Sequence, residues 1–214
     1  MSVFLNSFYP LCCTKKGLEA VKVGLPPFID GSIRREPDFE NEYPAITGLC
    51  RTNKLIPRLN KLDRVIYITN KGTYGDSRHW CLVAVLQVEE IAASHYDAAN
   101  FYRENGLVYP QNLMIPETKR KPLDETHQDN REFKHDGIID VDAWDRAYKC
   151  RAKKYPLVAI CSIFQDYKFL FEPPIINEDT MFSIFGRIPR AQMPPKLKPE
   201  EEVRLFDWLS DYKN

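Results

Sequence analysis

The chain has 214 residues, 43% hydrophobic and 12% aromatic, enough to bury one sizeable core. Its 30 basic and 30 acidic residues cancel, which argues against a sequence-independent nucleic-acid coat and leaves any basic surface local. Six cysteines (Cys12, Cys13, Cys50, Cys81, Cys150 and Cys161) show no CxxC zinc spacing, and no apolar run approaches the ~20 residues of a membrane helix.

In chain order, "VFLNSFYPLCC" reads as a strand broken at Pro10, and "KKGLEAVKVG" as a short helix stopped by Gly24. "LPPFIDGSIRREPDFENEYP" is a long loop with several prolines, a kind of segment that is often functional. "AITGLCR" is a possible strand and "RVIYITN" a better one, with Val65, Tyr67 and Thr69 on one face and Ile66, Ile68 and Asn70 on the other. "WCLVAVLQV" is apolar on both faces along most of its length, which places it centrally in a sheet or barrel; Cys81 and Cys161 read as small core residues.

Ser94 opens "SHYDAANFYRENG" with the spacing of a capping box, and Gly106 closes it. From about 115 to 154 the composition turns polar; this is a peripheral insertion with some helix around Trp144 and Tyr148. "YPLVAICSIF" returns to strand character, and "TMFSIFG" fits either helix or strand. A Pro-rich connector leads to a terminal helix at about 199–213, with Pro199 in its first turn, three glutamates at its positive end and an apolar stripe of Leu205, Phe206 and Leu209. The expectation is one α+β domain, a small mixed β-barrel with flanking helices.

The stretch "LNKLDRVIYITNKG", followed by "WCLVAVLQVEEI", resembles the central hairpin of PUA-like domains, in particular the EVE and ASCH branches and the nucleotide-modification-associated domains. Leu62-Asp63 stands for the family's GD turn, Tyr67-Ile68-Thr69-Asn70 for its strand end and Leu86-Gln87-Val88-Glu89 for its return strand. "ITGLCRTNKLIPRL" is similar to the segment that enters the same pocket. The likeness spans roughly 45–106. Lys61-Leu62 departs from the turn glycine, and the Pro-rich loop and the polar insertion are extra.

The resemblance implies a pocket for a modified nucleobase in DNA or RNA. A flipped base needs a π-face to stack on and a hydrogen-bonding edge. Trp80, Tyr74 and Tyr67 offer rings, and Thr69, Asn70 and Asn53 offer polar groups. Arg51, Lys54, Lys71 and Arg78 are cations for the adjacent phosphates. Each has a structural alternative: Trp80 and Tyr67 as core residues, Asn70-Lys71-Gly72 as turn chemistry, Lys71 and Arg78 as solvated charges.

The Pro-rich loop offers a second constellation: Asp30, Ser32, Arg34, Arg35, Glu36 and Asp38. Paired carboxylates can do acid–base work, and arginine grips phosphate. The alternative is a charged surface loop with internal ion pairs. His79, His95, His127 and His135 have no short metal spacing, and there is no Walker loop or GxGxxG. The reading is a reader of a modified base rather than an enzyme, in a DNA-modification, restriction or defence setting implied by the resemblance. It needs no cofactor or metal and no membrane, and the simplest compartment is a reducing cytoplasm. The alternatives are an enzyme acting on a nucleotide or base through the loop carboxylates, and an interaction module that docks a protein partner through the insertion or the terminal helix.

Overall fold

The computed structural model describes residues 1–32, 34–51, 54–118, 134–135, 138–139, 141–189 and 193–213; for residues 50–51, 134–135, 138–139, 141–144 and 213 it describes the backbone alone. The chain opens with β1 (Val3–Phe8), a 3-10 turn at Leu11–Cys13 and α1 (Lys15–Lys22). Thr14 caps α1 by accepting from the Gly17 N–H at 2.9 Å. A side chain at Gly17 would meet the Leu11 carbonyl oxygen at 1.8 Å, so the turn and the helix can approach this closely only through a glycine.

There follow β2 (Ala45–Thr47), α2 (Gly48–Arg51), β3 (Arg64–Thr69), β4 (Gly72–Tyr74), β5 (Ser77–Ala92) and α3 (His95–Glu104). Next come β6 (Lys134–His135), β7 (Ile138–Ile139), α4 (Val141–Lys154) and β8 (Val158–Lys168). The chain ends with β9 (Ile175–Ile176), α5 (Glu178–Phe185) and α6 (Pro199–Lys213). "TMFSIFG" is thus helical: Asn177 caps α5 by accepting from the Thr180 N–H, and Gly186 ends it in the left-handed region. "AITGLCR" is half strand and half helix. The centre of the polar insertion, 119–133, lies outside the described residues.

The main sheet runs β1-β3-β5-β8-β2, with β4 and β9 also paired to β5. β1 and β3 are parallel and the other pairs antiparallel. Register shifts opposite β3 and β8 bend β5, and the sheet curls into a half-barrel rather than a closed barrel. The free edge of β1 is covered by the Pro-rich connector, through Leu5 N–H to Pro195 O at 3.0 Å and Leu197 N–H to Val3 O at 2.8 Å.

Strand alternation fills both faces. Phe4, Val65, Tyr67, Val83 and Leu86 point into one cluster with Phe8 and Phe39. Leu5, Ile66, Ile68, Leu82 and Val85 point into another, closed by Met181 and Phe185 of α5 and by Leu205 and Leu209 of α6. Each such side chain, fully buried, contributes about 1.5–3 kcal/mol. The stripe of α6 is therefore spent on the chain's own sheet. Leu62 has φ 70, so this leucine holds the left-handed conformation at the position where the resemblance has a turn glycine.

The Pro-rich loop departs from the surface alternative. Ser32 and Arg35 are 0% exposed, Asp30 2% and Asp38 4%. Phe39 anchors the loop, its ring 5.1 Å from that of Tyr67 and 5.5 Å from that of Phe8. The loop is one wall of the core.

Candidate ligand-binding site

The β4–β5 hairpin carries the side chains that face an open cavity. Its turn is made by Gly75 at φ 68, with Tyr74 and Ser77 paired on either side. Tyr74 is half-buried; its hydroxyl donates to the Asn70 carbonyl at 2.7 Å and lies 3.4 Å from Cys13 Sγ. The Tyr74 ring stands 5.7 Å from Phe28 and 5.5 Å from His79. His79 is buried, with Nδ1 2.9 Å from Ser77 Oγ. Around these three rings lies a cavity of about 520 Å³, also lined by Phe171, Glu172, Pro173, Ile175, Trp208 and Tyr212. Phe171 and Tyr212 are exposed, and Phe169 supports Tyr212 edge-on at 5.9 Å.

Six aromatic side chains around one cavity favour a flat or apolar ligand. Besides the polar tips of Tyr74, Trp208 and Tyr212, its polar groups are few: Glu172, the His79 ring and the Cys81 thiol. Burial raises the Cys81 thiol to about 12, so it is not a nucleophile at neutral pH. Burial also pushes up the Tyr74 hydroxyl, which therefore stays a neutral hydrogen-bonding group.

The other sequence candidates fall in different places. Tyr67 is 1% exposed, its ring locked among Phe8 and Phe39, so it packs the core. Thr69 is buried and accepts from the Cys81 N–H at 2.9 Å, joining β3 to β5. Asn70 and Trp80 line a crevice of only about 30 Å³ on the opposite face, too small for a base. Trp80 is 7% exposed, with Lys71 Nζ 4.8 Å from its ring centre. Lys71 also forms an ion pair with Glu178. Arg78 is exposed on the aromatic hairpin, and Lys54 is exposed beside Arg58. Asn53 and the side chain of Arg51 lie outside the described residues.

The loop residues are occupied by the protein itself. Asp30 accepts from the Ser32 N–H at 2.9 Å and Asp38 from the Gln111 N–H at 2.9 Å. Arg35 donates to Glu40 at 3.1 Å and to the Ser32 carbonyl at 2.8 Å. Arg34 pairs with Asp145 at 2.6 Å and lines a separate cavity. Glu36 accepts from the Thr47 N–H at 2.7 Å, from the Thr47 hydroxyl and from Asn112 Nδ2 at 2.9 Å. Burial nevertheless lifts its carboxyl to about 7, because three donors do not replace bulk water. Such a value suits acid–base work, but the carboxylates line neither the aromatic cavity nor the Trp80 crevice.

The sequence reading reached Tyr74 and noted His79 in the hairpin, but missed Phe28, Phe171, Trp208 and Tyr212. Trp208 and Tyr212 carried a usable signal: they are four apart on α6, at three and seven residues from Leu205, and so extend the Leu205–Leu209 stripe on one side with aromatic rings. Phe28 and Phe171 carried none, since single aromatics in loops have no periodicity. Among the described residues no group of His, Cys, Asp and Glu is arranged to hold a metal ion, and no helix is long and apolar enough to cross a membrane.

No family model matches the chain, and no curated protein is similar to it at a significant level. Among solved structures, the chain is similar to the ASCH protein from Zymomonas mobilis, at 11% identity and a TM-score of 0.41, over 96% of this chain and 94% of that one. A tyrosine-to-phenylalanine variant of the same protein is similar at 11% identity and a TM-score of 0.40, over 97% and 98%. A serine-to-alanine variant is similar at 12% identity and a TM-score of 0.42, over 96% and 95%.

Proposed function

We propose that the protein binds a nucleobase of DNA or RNA by stacking it in the aromatic cavity at the β4–β5 hairpin. The observation that carries this reading is the ring of Phe28, Tyr74, His79, Phe171, Trp208 and Tyr212 around about 520 Å³ of open space. Stacking on aromatic side chains is worth about 1–3 kcal/mol per base and tolerates any base, because every base has a π-face. Arg78, exposed on the same hairpin, is the proposed phosphate contact, reached around the edge of the hairpin from the face opposite His79. The finer reading is a modified base, whose added alkyl group would gain from the apolar rim of Pro173 and Ile175. A DNA-modification, restriction or defence setting is proposed on the family resemblance.

The test is binding of labelled single-stranded oligonucleotides, with and without a modified base, followed by fluorescence anisotropy. Tyr74→Ala and Trp208→Ala should each weaken binding by about 1–3 kcal/mol. Trp80→Ala, on the opposite face, is the control and should leave a folded variant's affinity unchanged. Binding that survives both cavity substitutions, or is lost only in Trp80→Ala, rejects this cavity as the base site.

A further inference from the structure

A second open cavity, of about 590 Å³, is lined by the start of α3, the segment around Met114 and Ile115, and the end of α4. Arg34, Lys149 and Lys153 all contribute to its wall. Asp145 pairs with Arg34 at 2.6 Å and with Lys149 at 3.0 Å, so among the described residues one carboxylate engages two of the three cations. Among the described lining residues the excess charge is positive.

The wall also holds an unsatisfied donor. His95 is 4% exposed, and its Nδ1 accepts from the Met114 N–H at 3.1 Å. The ring proton therefore sits on Nε2, which is buried and has no partner among the described residues. A buried N–H without an acceptor is costly, and an oxygen supplied by a ligand would relieve it. Burial holds the imidazole down at about 4, so near neutral pH the ring is a neutral, fixed donor.

We propose that this cavity binds a small organic anion, a phosphate or carboxylate group on an apolar body. The anionic oxygen accepts from His95 Nε2 and lies against the positive wall of Lys149, Lys153 and Arg34. The body rests on Met114 and Ile115. The site stands apart from the aromatic cavity and does not depend on the nucleobase reading.

The experiment follows the His95 ring signals of the full chain, ¹⁵N-labelled on histidine, by NMR. The probes are phenyl phosphate, benzoate and, as the uncharged counterpart, benzyl alcohol, each up to millimolar concentration. At least one anion should shift the His95 Nε2–H signal while benzyl alcohol does not, and the tighter anion identifies the headgroup. Lys153→Glu, a change at an exposed residue, should weaken that anion about tenfold. No shift with either anion, an equal shift with benzyl alcohol, or unchanged affinity in Lys153→Glu overturns the proposal.

Discussion

Two polar stretches, the Pro-rich loop at 30–39 and the hairpin at 70–80, carry charged residues between apolar elements, and the fold treats them oppositely. The loop is drawn into the core by Phe39, and its charged groups are met by partners distant in sequence: Glu36 by Asn112, Asp38 by Gln111, Arg34 by Asp145. The hairpin keeps Gly75, Asp76 and Arg78 in solvent and turns Tyr74 and His79 toward an open cavity. A charged segment is thus structural when it is buried and most of its charged groups are met within the protein, and available to a ligand when they are left in solvent. Arg35 shows the cost of the first arrangement. It is a buried cation held at φ 47, a conformation unfavourable for any residue with a Cβ.

The sharpest way to break this comparison is to truncate one arginine from each stretch. Arg35→Ala removes the donor to Glu40 and to the Ser32 carbonyl and leaves a void. It should cost about 3 kcal/mol, toward the lower end for a broken buried pair because Glu40 is partly exposed. Arg78→Ala should change stability by less than about 0.5 kcal/mol, as surface substitutions do. Urea unfolding of the two variants measures both. Equal losses would mean that the loop is no more structural than the hairpin.

The buried loop also sets a pH signature. Glu36 has a folded value of about 7 against 4.5 for an ordinary glutamate. Its contribution is fully present below the lower value and lost as pH rises through the higher one. His95, held at about 4 against an ordinary 6.5, runs the other way: its contribution is present above 6.5 and lost as pH falls through 4. The two oppose each other over nearly the same window. Glu36→Gln removes only the first, so the variant should lose stability relative to the parent on going from about pH 8 to about pH 5, by on the order of 3 kcal/mol. Any fixed cost from placing an amide against Asn112 Nδ2 cancels in that slope. Parallel pH profiles for parent and variant would show that Glu36 is ionised throughout, with its three donors outweighing burial.

What was legible in the sequence follows the same division. β3 and β5 were readable because strand alternation writes both core faces into the chain, and α3 and α6 because their first-turn chemistry is local. The fate of the Pro-rich loop was not, because nothing near Glu36 announces Asn112, 76 residues away. The candidate site was half legible. Tyr74 sits in a hairpin whose strands were evident, whereas Trp208 and Tyr212 reach it only through the packing of α6 on the sheet. Trp80 and Tyr67 misled for one reason: an aromatic on a central strand has a face of the core to fill, and both fill it.

The smallest expected effect separates the exposed cation of the hairpin, Arg78, from the paired one, Lys71, assuming the nucleobase reading. Arg78 is exposed on the hairpin that bears Tyr74. Lys71 pairs with Glu178 and stands over Trp80. A phosphate contact releases about one counterion and carries no base information. Arg78→Ala should therefore weaken modified and unmodified strands alike, by no more than about 1 kcal/mol, and reduce the salt slope by about one. Lys71→Ala should leave the slope unchanged, because its ammonium is already engaged by the Glu178 carboxylate. Titrations at several salt concentrations decide the matter. A flattened slope in Lys71→Ala with none in Arg78→Ala would make Lys71, released from Glu178, the phosphate contact instead of Arg78.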